Sequence, residues 1–123
     1  MSARILVVDD NEVNVELLVA MLASEHYVVS TAFDGFEALA KIAAEKPDIV
    51  LLDVMMPGLD GYATMTKIRQ MPAFATLPII AVTARAMPGD REKSIAAGAS
   101  DYVTKPVDTD ELLACMERWL TRR

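Results

Sequence analysis

Apolar positions along the chain follow two rhythms. Ile5-Leu6-Val7-Val8, Ile49-Val50-Leu51-Leu52 and Ile79-Ile80-Ala81-Val82 are unbroken apolar runs, the pattern of strands buried on both faces of a sheet. Residues 27–31 and 101–104 are short β-rich runs that include polar residues. Between these segments the period lengthens. After a cap at Asn11, the positions Asn14, Leu17, Leu18, Met21 and Leu22 recur at helical spacing and leave Val13, Val15 and Val19 off that stripe; the helix ends near Glu25-His26. Ala38, Leu39, Ile42 and Ala43 form a second stripe between Asp34-Gly35 and Pro47. Met65, Ile68 and Arg69 follow the turn-rich Pro57-Gly58 and Asp60-Gly61 and stop at Pro72. Residues 88–97, closed by Gly98, and 109–120 complete the set. Five strands alternating with five helices predict an α/β, doubly wound parallel sheet with right-handed crossovers. No internal repeat or linker interrupts it.

A chain of 123 residues has the size of one domain, so 1–123 is expected to form a single unit. Met1 and a stop just after the last helix fit a stand-alone protein, although the boundary of an excised domain would look the same. Twelve basic against eighteen acidic residues give a net charge of −6, which disfavours direct binding to nucleic acid or an anionic membrane. No apolar run approaches a membrane span and no basic-then-apolar leader precedes the first strand, so a cytoplasmic protein is expected. The one cysteine, Cys115, reads as a small core residue, and His26 as a surface residue at a helix end.

Chemistry gathers at the strand ends. Asp9 and Asp10 follow the first strand, Asp53 the third, Thr83 the fourth and Lys105 the fifth. In a doubly wound parallel sheet these ends share one edge, and ligands bind there, where the strand order reverses. Clustered carboxylates repel unless a proton or cation offsets them. Oxygen-only donors that leave room for water and phosphate suit Mg²⁺ better than Ca²⁺. Lys105 and Thr83 add a positive charge and a hydroxyl, outlining a pocket for a phosphoryl group. Phosphoryl transfer needs mainly positioning and charge neutralisation, and a carboxylate can be its nucleophile.

The runs Val7-Val8-Asp9-Asp10-Asn11, Leu52-Asp53-Val54-Met55-Met56-Pro57-Gly58-Leu59-Asp60-Gly61, Val82-Thr83-Ala84 and Gly98-Ala99-Ser100-Asp101-Tyr102-Val103-Thr104-Lys105-Pro106 together resemble the receiver domain of bacterial two-component response regulators. That CheY-like family has the flavodoxin-like strand order 2-1-3-4-5. The resemblance implies that Asp53 takes a phosphoryl group from a phosphohistidine on a sensor histidine kinase or histidine phosphotransferase. It implies that Asp10, Asp53 and the Met55 carbonyl ligate Mg²⁺, with Asp9 acting mostly through water. Lys105 would pair with the phosphoryl oxygens, and the Lys105-Pro106 bond would be cis. Thr83 and Tyr102 would form a switch that alters the face made by helix four, strand five and helix five, changing affinity for a downstream protein. A phosphorylation-dependent dimer is among the arrangements this allows. Kinase docking is expected on the first helix and the loop after Lys105, with Val13, Leu17, Ala20 and Pro106 as candidates.

The resemblance makes the chain a signalling phosphoprotein that assists its own phosphorylation and dephosphorylation rather than an enzyme. The alternative is a small Mg²⁺-dependent phosphatase with an aspartate nucleophile; such enzymes usually carry a second Asp two residues on, where this chain has Met55. An interaction module without phosphorylation is disfavoured by the full set Asp10, Asp53, Thr83 and Lys105. Dinucleotide binding fails because no glycine-rich turn follows the first strand. Met55 is also a poor water-orienting group, and Arg85, two residues after Thr83, cannot serve as a base, so slow self-dephosphorylation is expected.

Overall fold

The computed structural model describes residues 3–23, 25–56, 60–84 and 88–121. In chain order these form β1 (Arg4–Val8), α1 (Glu12–Ala23), β2 (Val28–Ala32), α2 (Gly35–Glu45), β3 (Ile49–Asp53), α3 (Gly61–Gln70), a 3₁₀ turn at Pro72–Phe74, β4 (Ile79–Thr83), α4 (Asp90–Ala97), β5 (Asp101–Thr104) and α5 (Thr109–Thr121). The strands make one sheet in the order β2-β1-β3-β4-β5, with every neighbouring pair parallel. The order therefore reverses between β1 and β3, and their C-terminal ends open onto the crevice expected of such a sheet.

The unbroken apolar strands are explained by two cores, one on each face. Leu6, Val8, Val50, Leu52, Ile79 and Ala81 point to the face covered by Ala38, Ile42, Met65 and Ile68 of α2 and α3. Their sequence neighbours Ile5, Val7, Ile49, Leu51, Ile80 and Val82 point to the opposite face, against Leu18 and Leu22 of α1 and Leu112, Cys115 and Met116 of α5. A central parallel strand thus needs apolar residues at both phases of its pleat.

Side-chain caps fix where four of the helices start. Asn11 accepts from the Asn14 N–H at 3.1 Å, Asp34 from Glu37 at 2.7 Å, Asp60 from Ala63 at 2.8 Å and Asp108 from Glu111 at 3.0 Å, each taking up one donor that a helix start leaves unpaired. Helix α4 differs. It begins at Asp90 rather than 88, and its cap is Gly89, which has a positive φ and no side chain to accept a bond. It ends at Gly98, as expected, with φ 127°.

The face of α1 requires a correction. Val15, expected off the stripe, is buried with Leu18 and Leu22, while Leu17, expected on it, is 55% exposed. Asn14 is half-buried, and Met21 packs at the edge of the core. Apolar residues occur around most of this helix, so its own pattern does not select a face; packing settles on the i, i+3, i+7 row 15, 18, 22. His26, exposed as expected, has φ 61° and turns the chain into β2.

Candidate functional site

The ends of β1, β3, β4 and β5 place the functional groups. Asp9, the residue after β1, is buried, and its N–H donates to the Ala32 carbonyl of β2 at 3.1 Å. Its Oδ1 accepts from the Asn11 N–H at 2.9 Å, so one carboxylate both leaves the sheet and starts the turn into α1. Asp53 ends β3 and pairs with Val82 of β4, which sets buried Thr83 one residue further along the same edge. Lys105 follows β5, its N–H bonded to the Thr83 carbonyl at 2.8 Å, and the Lys105-Pro106 peptide is cis. Helix α3 is drawn in close beneath the acid. A Cβ on Gly61 would lie 2.5 Å from Val54 Cα and 2.6 Å from the Asp53 carbonyl oxygen, so only glycine lets the helix begin there.

The structure brings Asp9, Asp10, Asp53 and Lys105 together. Lys105 Nζ donates to Asp9 Oδ2 at 3.0 Å and stands 3.7 Å from Asp53 Oδ1. Asp53 is 4% exposed, and burial pushes its carboxyl up to about 6; the Met55 N–H, 3.1 Å from Oδ1, opposes this, Asp9 adds to it and Lys105 offsets part. The ammonium thus answers the two buried acids in part, and Asp10 stands beside them at the surface. Among the described residues, Asp9, Asp10 and Asp53 each offer an oxygen within 4.8 Å of the others. Carboxylate oxygens alone, two buried and one open to solvent, fit a hard divalent ion that keeps water ligands.

Other expected residues lie further out. Tyr102 is half-buried on β5, opposite Ala81 and so two rungs from the Thr83–Thr104 pair. Burial raises its hydroxyl pKa, with Asp90, Tyr62 and Glu92 adding, and its ring packs against the core that α2 and α3 cover. Met55 is exposed, and its N–H donates to Asp53 Oδ1 at 3.1 Å. Val13, Leu17, Ala20 and Pro106 are all exposed. Leu17 and Pro106 flank a groove of about 220 Å³ whose other walls are Asn14, Leu18, Met21, Lys105 and Val107. Asn14, Met21 and Val107 were not anticipated there, because the apolar period assigned the first two to the core. Pro57, Gly58 and Arg85 lie outside the described residues.

Two networks were missed. Arg69 is half-buried and donates to the Gly98 carbonyl from Nε and Nη2 at 2.9 and 2.7 Å, and to the Phe74 carbonyl at 2.9 Å. Asp101 accepts from the Trp119 indole at 2.9 Å and the Cys115 thiol at 3.2 Å. An arginine beside the Met65–Ile68 stripe was the available signal for the first. The Asp101 partners on α5 carried no local signal.

No described helix is long and apolar enough to cross a membrane. Comparison with known proteins gives the family. The model of the response regulator receiver domain matches residues 5–117. Response regulator PleD of Caulobacter vibrioides is 52% identical over 122 residues, covering 99% of this chain and 27% of that protein. For response regulator MprA of Mycobacterium ulcerans the identity is 45%, with 99% of this chain and 52% of that protein covered. The chain thus spans between a quarter and about half of these relatives. The receiver domain of the sensor histidine kinase PA1611 of Pseudomonas aeruginosa, solved with a magnesium ion coordinated in the active site cleft, superposes with a TM-score of 0.91 at 39% identity, covering 98% of this chain and 99% of that one. Chemotaxis protein CheY4 of Vibrio cholerae gives 0.90 at 30% identity, covering 96% and 98%, and shares the five-stranded CheY-like fold. A match that runs from the second residue of β1 into α5 takes in the whole sheet, and the chain belongs to the response regulator receiver domain family.

Proposed function

We propose that Asp53 is the phosphoacceptor, taking its phosphoryl group from a phosphohistidine on a sensor histidine kinase or histidine phosphotransferase. The observation that carries this is a buried carboxylate at the sheet's switch point with a lysine 3.7 Å away. A carboxylate oxygen of Asp53 bonds to phosphorus while the P–N bond breaks, leaving its electron pair on the departing imidazole. Lys105 is already held at the crevice by Asp9, and it moves onto the phosphoryl oxygens as charge develops there. Thr83, on the same edge, donates its hydroxyl to the phosphoryl group, and Tyr102 turns into the space this opens.

The acid cluster fits Mg²⁺, which Asp10, Asp53 and the Met55 carbonyl would hold, with Asp9 acting through water. When bound, the ion neutralises charge on the acids and on the phosphoryl oxygens. Asp9 keeps Lys105 in place, and the Met55 N–H orients Asp53. The phosphatase reading is not favoured, since Met55 stands where those enzymes usually carry their second aspartate. Met55 at the rim, lacking a group to orient water, fits slow loss of the phosphoryl group from the protein itself.

Residues 1–123 act in this reading as one cytoplasmic receiver unit. Receiver domains of response regulators work with histidine kinases. For this chain the docking surface is the groove beside Pro106, with Val13, Leu17 and Ala20 around it, and the output surface is α4, β5 and α5. Acetyl phosphate with Mg²⁺ should add one phosphoryl group, measured by intact mass, to the parent and none to Asp53→Asn. Equal labelling of the variant would refute the assignment.

A further inference from the structure

Helix α4 is attached to the sheet by an unusual residue. Of its eight residues, Ser94 is the one fully buried, at 0% exposure, while Ile95 beside it is 41% exposed. Among the described residues, the buried Ser94 hydroxyl has no hydrogen-bond partner. Three other helical hydroxyls bond back to the turn before: Thr64 to the Asp60 carbonyl at 2.7 Å, Thr66 to Tyr62 at 3.1 Å and Thr121 to Glu117 at 2.9 Å. Ser94 could reach back to residue 90 in the same way and does not. A buried hydroxyl left unpaired works against the arrangement that buries it.

The two ends of α4 are held unequally. At the C-terminal end, Gly98 donates to the Ser94 and Ile95 carbonyls, Ala99 bonds to Ser94 at 3.0 Å, and Arg69 grips the Gly98 carbonyl from α3 with two N–H groups. At the N-terminal end, Gly89 supplies no side-chain cap. The first turns of the helix are held by exposed cations: Lys93 lies over the Tyr62 ring at 4.5 Å and Arg91 stands 4.0 Å from Asp101, contacts of modest strength.

The geometry points to Ser94 as a built-in bias of the switch: its unpaired hydroxyl weakens this docking of α4, so that a second arrangement, pivoted about the Arg69–Gly98 clamp and giving the hydroxyl water or a partner, lies close in free energy. Phosphorylation then has less to overcome, because a ligand shifts an equilibrium only by its differential affinity for the two states. This coupling rests on Asp53 as the acceptor. The weak docking itself does not.

The test is amide hydrogen exchange of residues 89–97 in unphosphorylated protein, comparing the parent with Ser94→Ala. Removing the hydroxyl should slow exchange across α4 by roughly tenfold while leaving α3 and α5 unchanged. Alanine also favours helix intrinsically, so Ala96→Ser at an exposed position of α4 is the control; its effect should be the reverse and only about twofold. With Mg²⁺ and beryllofluoride as the phosphoryl probe, Ser94→Ala should need several-fold more probe for half-saturation. Exchange in Ser94→Ala that is unchanged, faster, or no slower than the control effect explains would overturn the proposal by showing that the hydroxyl is satisfied. Slower exchange with an unchanged probe requirement would overturn its link to the switch. Failure of the parent to bind the probe would count against the Asp53 assignment, and the exchange result would stand apart from it.

Discussion

Asp53 ends β3 and Asp101 begins β5, with β4 between them, yet their surroundings drive them in opposite directions. Burial dominates at Asp53 and raises it from 3.8 to about 6. The folded protein therefore keeps a proton that the unfolded chain has given up, and without a divalent ion the fold loses stability as pH rises between those values, by up to about 3 kcal/mol. At Asp101 burial also pushes upward, but the Trp119 indole, the Tyr102 N–H, the Cys115 thiol and Arg118 together hold the carboxyl below its usual value. Its stabilisation is present above the ordinary carboxylate pKa and is lost as pH falls through the lower folded value. Trp119→Phe removes one donor to this charge and should cost about 1.5–3 kcal/mol at pH 7; urea unfolding at pH 7 and near pH 3 should show the difference from the parent shrinking in acid. The same carboxylate helps hold the Cys115 thiol up near 12, after burial as the larger cause, which makes it an inert core residue, as the sequence implied. Asp9, Asp53, Thr83 and Lys105 were legible because each stands at the end of a run that reads as a strand. The Asp101 bonds were not, because their partners lie 14 and 18 residues away on a helix whose rotation only packing determines.

Among the elements, strands were read more securely than helix faces. A strand buried on both sides shows itself as an unbroken apolar run, and β3 is such a strand from Ile49 to Asp53. For α1 the apolar residues were too many to choose between rows, and Val15 and Leu17 exchanged roles. The start of α4 was placed two residues early because Pro88 reads as a first helical residue, whereas Pro88 and Gly89 form the turn before Asp90. Gly61 ties an element to the site. Sequence marked it only as part of a turn, although its role is close approach of α3 to the backbone of Asp53 and Val54. Gly61→Ala should therefore displace that backbone, lowering stability by about 1–3 kcal/mol and slowing labelling of Asp53 by acetyl phosphate. Chemical denaturation and intact mass would measure the two effects, and unchanged values for both would show that the loop after β3 yields without consequence.

For the molecule as a whole, alternation of elements predicted a parallel sheet, but the order of its strands came from the family resemblance. Nothing in a single strand says which neighbour it will take. Once the order is β2-β1-β3-β4-β5, the acids after β1 and β3 necessarily face each other across the reversal, and the lysine after β5 reaches them from beyond β4. The net charge of −6 adds to this local concentration of acid, so a divalent cation and a basic side chain both have a place in the crevice. The central claim is that this crevice directs a phosphoryl group from nitrogen to Asp53. Phosphoramidate, a small donor with a P–N bond, supplies the test without a partner protein. After incubation with Mg²⁺, borohydride reduction converts an aspartyl phosphate to homoserine, and peptide mapping locates it. The account predicts homoserine at position 53 alone, with labelling lost when Mg²⁺ is chelated and in Asp10→Ala. Homoserine at another aspartate, or undiminished labelling of position 53 without the ion, would contradict it.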